Sequence, residues 1–250
     1  MTSLRLVGPG RAGRSLASAL VDTGCDLRAV LGRGDDLTGA AAGVDVVIIA
    51  TPDGAVSEVA GAIAPVDTTV VLHMSGALGL DVLAPHRRRG SLHPLMPLPS
   101  AEVGRVRLRS GITFAVAGDP MASTLGHRLA GRCIEIDDDH RAAYHAAACI
   151  AANHLVALLG QVERVAATAG LDVDAFVPLA AAALQDVADL GPAAALTGPA
   201  ARGDVATLAR HRDALAAEEI AGYDAGVALA RRLAQDAAPS PHPTEMAPCG

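Results

Sequence analysis

Ser3-Leu-Arg-Leu-Val-Gly8-Pro9-Gly10-Arg11-Ala12-Gly13-Arg-Ser-Leu-Ala-Ser-Ala-Leu20 is the stretch that decides the fold. An apolar strand, Leu4 to Val7, runs into Gly-x-Gly-x-x-Gly, and a helical pattern with Leu16, Ala19 and Leu20 follows. Gly8 suits a tight turn, Gly10 allows a pyrophosphate to approach the backbone, and Gly13 allows the helix to pack closely on the strand. The helix N-terminus then offers unpaired N–H groups and the positive end of its dipole to phosphates. The strand before and the helix after favour a dinucleotide site over a purely structural glycine turn. Gly8 through Gly13 are its expected phosphate-binding residues.

Composition narrows the class. The 250 residues are 51% hydrophobic but only 2% aromatic, so the core has to be built from Ala, Val and Leu. Net charge is −7 and the one basic cluster is Arg87-Arg88-Arg89, which disfavours nucleic acid as a partner. No uninterrupted apolar run reaches a membrane span and no signal peptide is evident, so no membrane role is expected. Cys25, Cys133, Cys149 and Cys249 are scattered without a Cys-x-x-Cys pair, which suits a reducing cytoplasm and gives no metal site. All 20 basic Lys+Arg residues are arginine, which excludes lysine as acid, base or Schiff-base former. The single asparagine is Asn153.

Further along, Leu27 to Leu31 reads as a second strand, followed by Gly32-Arg33-Gly34-Asp35-Asp36. Arg33 stands about 20 residues past the last glycine, where an NAD site would carry an acid for the ribose, and an arginine there suits a 2′-phosphate. NADP is therefore favoured, with NAD possible. Val44 to Ala50 is a nearly continuous apolar run, the mark of a strand buried on both faces. Thr51-Pro52-Asp53 ends it, and Asp53 is expected to cap the next helix. Further strands are expected at Thr69 to Leu72, just before His93-Pro94, at Thr113 to Ala117 and at Cys133 to Ile136. Alternating strands and helices predict an α/β, doubly wound parallel sheet. Ligands of such sheets sit beyond the carboxyl ends of the strands, where Thr51, His73, Ser75 and His93 all fall.

From Asp138 the pattern becomes helical. Asp137-Asp138-Asp139 suits an N-cap, and Tyr144, Ala148, Ala151, Leu155, Leu158, Val162 and Val165 recur at helical steps. His145, Cys149 and Asn153, four apart, form a second and partly polar stripe. Two more helices are expected over Asp174–Leu190 and 214–235, with Asp204 capping another between them. The expected organisation is a nucleotide-binding domain over 1–137, an all-helical substrate and dimerisation domain over 138–237, and a disordered tail over 238–250.

Gly8-Pro-Gly-Arg-Ala-Gly13, His73-Met-Ser-Gly-Ala77, Leu92-His-Pro-Leu95, Tyr144-His-Ala-Ala-Ala148 with Asn153, and Leu196-Thr-Gly-Pro-Ala-Ala-Arg-Gly-Asp204 occur in this order. Together they resemble the Rossmann-like oxidoreductases whose helical C-terminal domain was catalogued as a domain of unknown function. That group is similar to ketopantoate reductase, 6-phosphogluconate dehydrogenase and pyrroline-5-carboxylate reductase. The resemblance implies a nicotinamide-dependent reductase, dimeric, acting on a small 2-keto acid, with ketopantoate the named substrate. It departs at one point. Where ketopantoate reductase carries Lys and then Asn four residues on, this chain has Cys149 and Asn153, so the lysine's proton chemistry does not carry over.

Reduction of a ketone needs a proton donor, and histidine is the natural one near neutrality. His145 is the first candidate, with His73 and His93 its rivals. Asn153 is a candidate to bond the substrate hydroxyl or the nicotinamide amide, and Ser75 the substrate or cofactor, with Gly76 leaving room for close approach. Arg202 suits a carboxylate clamp, beside Thr197 of the same segment, although an internal salt bridge would use it equally well. Thr51, Pro52 and Asp53 complete the expected cofactor contacts. Two other readings stay open: reduction of a cyclic imine, which depends less on a strong proton donor, and a non-catalytic nucleotide-binding regulator.

Overall fold

The computed structural model describes residues 1–236, so the expected tail lies outside the described residues. The chain divides into two compact units, Met1–Ala152 and a second that begins at Asn153.

The first unit is a seven-stranded sheet in the order β2-β1-β3-β4-β5-β6-β7. Its strands are β1 (Ser3–Val7), β2 (Asp26–Leu31), β3 (Val46–Ile49), β4 (Val70–His73), β5 (Arg89–Pro94), β6 (Thr113–Gly118) and β7 (Arg132–Glu135). Helices α1 (Arg11–Asp22), α2 (Val56–Ala62), α3 (Ala101–Arg107) and α4 (Met121–Arg128) connect them. The chain order reverses at β1, with β2 on one side and β3 on the other, which makes the β1–β3 crevice the topological switch point.

Every residue of β3 and β4 is buried. Alternation splits their side chains between two cores. Leu4, Leu6, Val46, Ile48, Val70 and Leu72 pack beneath α1 and α4 on one face. Val7, Val47, Ile49 and Val71 pack with Val56, Ala60 and Ile63 on the other. Burial of each of these large side chains is worth roughly 1.5–3 kcal/mol, which is why so short a pair of strands holds the centre of the sheet.

The sheet is not wholly parallel, as the alternation of strands and helices had suggested. β5 pairs with β6 antiparallel, Pro94 opposite Phe114 and Gly90 opposite Gly118. The connection through α3 leaves β5 and enters β6 at the same end of the strands, so the chain turns back instead of crossing over. Asp53 differs from expectation too. Pro52 takes the cap position of the turn Asp53–Ala55, and no side chain caps it.

A helical stretch then runs through α5 (Arg141–Cys149), a π-helical turn (Ile150–His154) and α6 (Leu155–Ala167). By length and composition alone, Asp138–Ala167 is apolar enough to cross a membrane, with a window of mean hydropathy 1.4. The sequence shows no single uninterrupted apolar run there because His145, Asn153 and His154 break it.

The second unit continues with α7 (Val177–Leu190), α8 (Pro192–Ala195), α9 (Pro199–Arg202), α10 (Val205–Asp213) and α11 (Ala217–Asp236). Arg164 pairs with the buried Glu219, and Gln161 donates to the Glu219 carbonyl at 2.8 Å, tying α6 to α11. Asp204 accepts from the Thr207 N–H at 3.0 Å and caps α10. α7 has no buried residue, although Val177, Leu179, Leu184, Val187 and Leu190 lie along it.

Candidate functional site

The glycine turn has the geometry of a phosphate cradle. Gly8 has φ +99°, and a Cβ there would stand 2.7 Å from the Ala50 carbonyl carbon. A Cβ on Gly13 would stand 2.8 Å from that of Ala50 and collide with the Gly8 carbonyl. Gly10, by contrast, has nothing within 4 Å of its missing Cβ, so the turn is open on that side alone.

Gly10 is the N-cap of α1, no side chain caps the helix, and its first turn carries no acid. Its N-terminal N–H groups are free for an anion. Pro9 accepts from Arg14 Nε at 2.8 Å, Arg11 is exposed and reaches the Pro99 carbonyl at 3.5 Å, and Ala12 packs on the core.

Thr51 stands just beyond β3, beside Gly8. Its Oγ1 is buried and has no hydrogen-bond partner among the described residues. Buried hydroxyls are rarely left so, and a polar ligand group in the adjacent crevice would satisfy this one. The cradle and this hydroxyl together fit a dinucleotide. Pro52 and the exposed Asp53 follow at the same rim.

At the end of β2, Arg33 is exposed and forms no hydrogen bond or ion pair among the described residues. Asp35 turns inward on its own loop and accepts from the Gly32 N–H at 2.7 Å, while Asp36 accepts from Thr38 at 2.9 Å. Both acids of this loop are therefore engaged in the turn, and the arginine is the group on offer.

The remaining polar groups of this unit gather over β4 and β5. His73 pairs with Ser91 across the strands, and His93 lies two residues beyond Ser91, so all three project from one face. α5 lies over them with Arg141, Tyr144 and His145 at steps of three and four, on one helical face. Tyr144 Oη is 2.7 Å from His93 Nδ1, and the rings of His93 and His145 meet edge-on with centroids 6.0 Å apart. A Cβ on Gly76 would come 2.8 Å from His93 Cε1 and 2.9 Å from His145 Cδ2, so only glycine lets the loop pass these imidazoles. Cys149 Sγ lies 3.9 Å from His145 Nε2. Ser75 Oγ accepts from the Ala77 and Leu78 N–H groups, both at 3.1 Å, and so braces the loop after β4.

Arg141 is 2% exposed. It bonds Asp138 at 2.9 Å and Ser91, while its Nη1 is buried without a partner among the described residues. His73 is fully buried with both ring nitrogens likewise unpaired.

Burial, then the Arg141 charge, pushes His73 down to about 4, while the Asp53 and Asp138 carboxylates pull the other way. Burial, then His145 and Arg141, pushes His93 down to about 4 as well. Burial raises Tyr144 to about 12. At neutral pH His73 and His93 are thus uncharged imidazoles and Tyr144 an uncharged phenol, beside the Arg141 guanidinium.

The structure therefore brings His73, Ser75, Gly76, His93 and His145 into one cluster of the sheet unit. Asn153, Arg202 and Thr197 belong to the helical unit. Asn153 is exposed within the π turn, Arg202 is exposed at the end of α9 without an ion pair among the described residues, and Thr197 lines an apolar groove of that unit. The groove measures about 740 Å³ and is bounded by Leu158, Val165, Phe176 and Tyr223, among others. Sequence reasoning missed Tyr144 and Arg141. Tyr144 was read as part of an apolar stripe. The signal for Arg141 was its spacing, three after Asp138 and four before His145.

Comparison with known proteins agrees with this architecture. Residues 111–231 match the family model described as a domain of unknown function (DUF2520), and residues 35–99 match a Rossmann-like domain. A Bacteroides fragilis protein described as an NADP oxidoreductase is similar at TM-score 0.78 and 20% identity, over 94% of this chain and 98% of that one. A reductive aminase of Aspergillus terreus, solved with NADPH4, cyclohexanone and allyl amine, is similar at 0.68 and 17%, over 95% of each chain. A pyrroline carboxylate reductase of Plasmodium falciparum with NADP bound is similar at 0.61 and 11%, over 93% and 98%. At these identities the likeness establishes the fold. No curated protein matches the chain.

Proposed function

We propose, for a chain that carries a Rossmann-like domain and the DUF2520 domain, an NADPH-dependent oxidoreductase that reduces a C=O or C=N bond of a small molecule. The observation that carries this reading is the phosphate cradle at Gly8–Gly13 standing at the same carboxyl ends of the strands as the polar cluster of His73, His93, Tyr144 and His145. When bound, the nicotinamide supplies the hydride. The chain's own part begins at the N-terminus of α1, whose N–H groups hold the pyrophosphate, with Thr51 Oγ1 bonding the ligand beside Gly8. Arg33 takes the 2′-phosphate with its guanidinium fork. The imidazoles over Gly76 stabilise the negative charge that develops on the substrate oxygen, and they do so from a largely buried position where such bonds are strong.

A small 2-keto acid, ketopantoate first, is the leading substrate, with the exposed Arg202 as carboxylate partner and Asn153 as a further polar contact. A cyclic or open imine is the second reading, favoured by a cluster that holds no lysine and whose buried imidazoles stay uncharged at pH 7. The apolar, uncovered α7 supports a homodimer through the helical unit, and the free thiols of Cys25, Cys133 and Cys149 suit a cytoplasmic setting.

The test is a titration that follows nicotinamide fluorescence, clean because the chain has no tryptophan. NADPH is expected to bind selectively and to be consumed on adding ketopantoate, or failing that a pyrroline carboxylate. Arg33→Ala should weaken NADPH about tenfold to a hundredfold and NADH little, the scale of one hydrogen-bonded charge. Equal loss for both nucleotides would remove the 2′-phosphate assignment, and binding of neither would remove the function.

A further inference from the structure

The contact between Tyr144 and His93 has only two possible polarities. Both partners are neutral over the physiological range, so the single proton in the 2.7 Å contact belongs either to the phenol or to Nδ1. A phenol O–H is a much stronger acid than a neutral imidazole N–H, and an imidazole nitrogen is a much stronger base than a phenol oxygen. The bond therefore runs from Tyr144 Oη–H to Nδ1. The nitrogen that accepts cannot also carry the ring proton, so the proton sits on Nε2. That edge of the ring faces Gly76: a Cβ there would lie 2.9 Å from Nε2. Among the described residues no group bonds Nε2.

We propose that Tyr144 is a positioning residue that fixes His93 as its Nε2–H tautomer, so that a neutral N–H donor is aimed across Gly76 at the substrate's carbonyl oxygen or imine nitrogen. The direction of the donor rests on the reductase reading, whereas the tautomer itself does not. The groups that face His93 keep it neutral. Arg141 and His145 of α5 oppose its protonation, and Asp53 from the turn after β3 is the one charge that favours it. His73 on β4 is itself uncharged near neutrality. A neutral imidazole held this way stabilises developing charge at any pH above its own titration, and the proton that completes the alcohol or amine is drawn from water.

The experiment is side-chain nitrogen NMR on the full-length protein at pH 7, with the His93 signals assigned by their loss in His93→Gln. The expected pattern is a protonated Nε2 and an unprotonated Nδ1 in the wild type, shifting to a mixture in Tyr144→Phe. A wild-type ring protonated on Nδ1, or a tautomer unmoved in Tyr144→Phe, would overturn the proposal. Should Tyr144→Phe fail to fold, the wild-type spectrum still carries the test: a Tyr144 hydroxyl proton coupled to Nδ1 across the hydrogen bond supports the proposal, and a proton bonded to Nδ1 overturns it.

On a turned-over substrate, wild-type kcat should be flat from about pH 5 to 8. Tyr144→Phe should lower kcat about tenfold to a hundredfold, short of the loss of a whole oxyanion donor, and leave KM within about twofold. The correct tautomer in a protein that reduces nothing would sustain the hydrogen bond and count against the reductase reading only.

Discussion

His73 carries a cost that depends on pH. It is fully buried with both ring nitrogens unpaired, and burial together with the Arg141 charge holds it down to about 4. An unfolded chain titrates its histidines near 6.5, so between about 6.5 and 4 the unfolded state takes up a proton that the fold refuses. Stability is therefore constant above this window and falls as the pH drops through it. At about 1.4 kcal/mol per unit, His73 alone contributes a loss on the order of 3 kcal/mol by pH 4. Urea melts at pH 7, 5.5 and 4.5 check this: His73→Gln should lose distinctly less stability on acidification than the wild type, with His93 accounting for part of what remains. Parallel declines in the two proteins would place the acid sensitivity elsewhere.

These histidines were legible because the strands before them were legible, and strand ends are where such sheets bind ligands. Arg141 was not, since burying a guanidinium depends on Asp138 and on Ser91, the latter 50 residues distant. Tyr144 was hidden for the opposite reason: one aromatic ring serves equally well as core and as hydrogen-bond donor.

Among the elements, β3 stood out in the sequence as an apolar run buried on both faces, and β1 and β4 as shorter strands beside it. The direction of β6 did not, because pairing direction follows from where the connection through α3 re-enters the sheet and not from the strand's own residues. The helical stretch after Asp138 was equally plain, yet its π turn at Ile150–His154 was invisible. A π turn is wider than an α turn, so the four-residue ladder that linked His145, Cys149 and Asn153 in sequence is not kept through it. The observed pair is His145 with Cys149, before the turn begins. Such turns often mark functional positions. Deleting Ala151 should let the stretch close into a regular α-helix, leaving helix content by circular dichroism unchanged. NADPH affinity should hold within about twofold while turnover falls at least tenfold, because an extra residue in a helix is usually kept to aim the side chains beside it. Unchanged turnover would make the π turn structurally incidental.

For the molecule as a whole, the notable surface is that of the helical unit. α7 presents Leu179 at 68%, Leu184 at 53% and Leu190 at 62% exposure. A helix with so broad an exposed apolar face is one that something covers. A second copy of this chain is the occupant proposed above, and sedimentation equilibrium in detergent-free buffer should return a dimer. The pair Leu179→Glu and Leu184→Glu should give a folded monomer that still binds NADPH. A monomeric wild type would remove the second copy and leave a membrane surface or another protein to cover α7.

The turn after β2 has a wider implication. It is closed on itself by Asp35, stands at the far edge of the sheet order from β4 and β5, and offers a single exposed arginine. The choice between two cellular pools of reducing equivalents would then rest on one solvent-facing side chain whose replacement disturbs neither the core nor the imidazole cluster. A lineage carrying this scaffold could change the metabolic currency it draws on, from biosynthetic to catabolic, by drift at that corner, with its chemistry left intact.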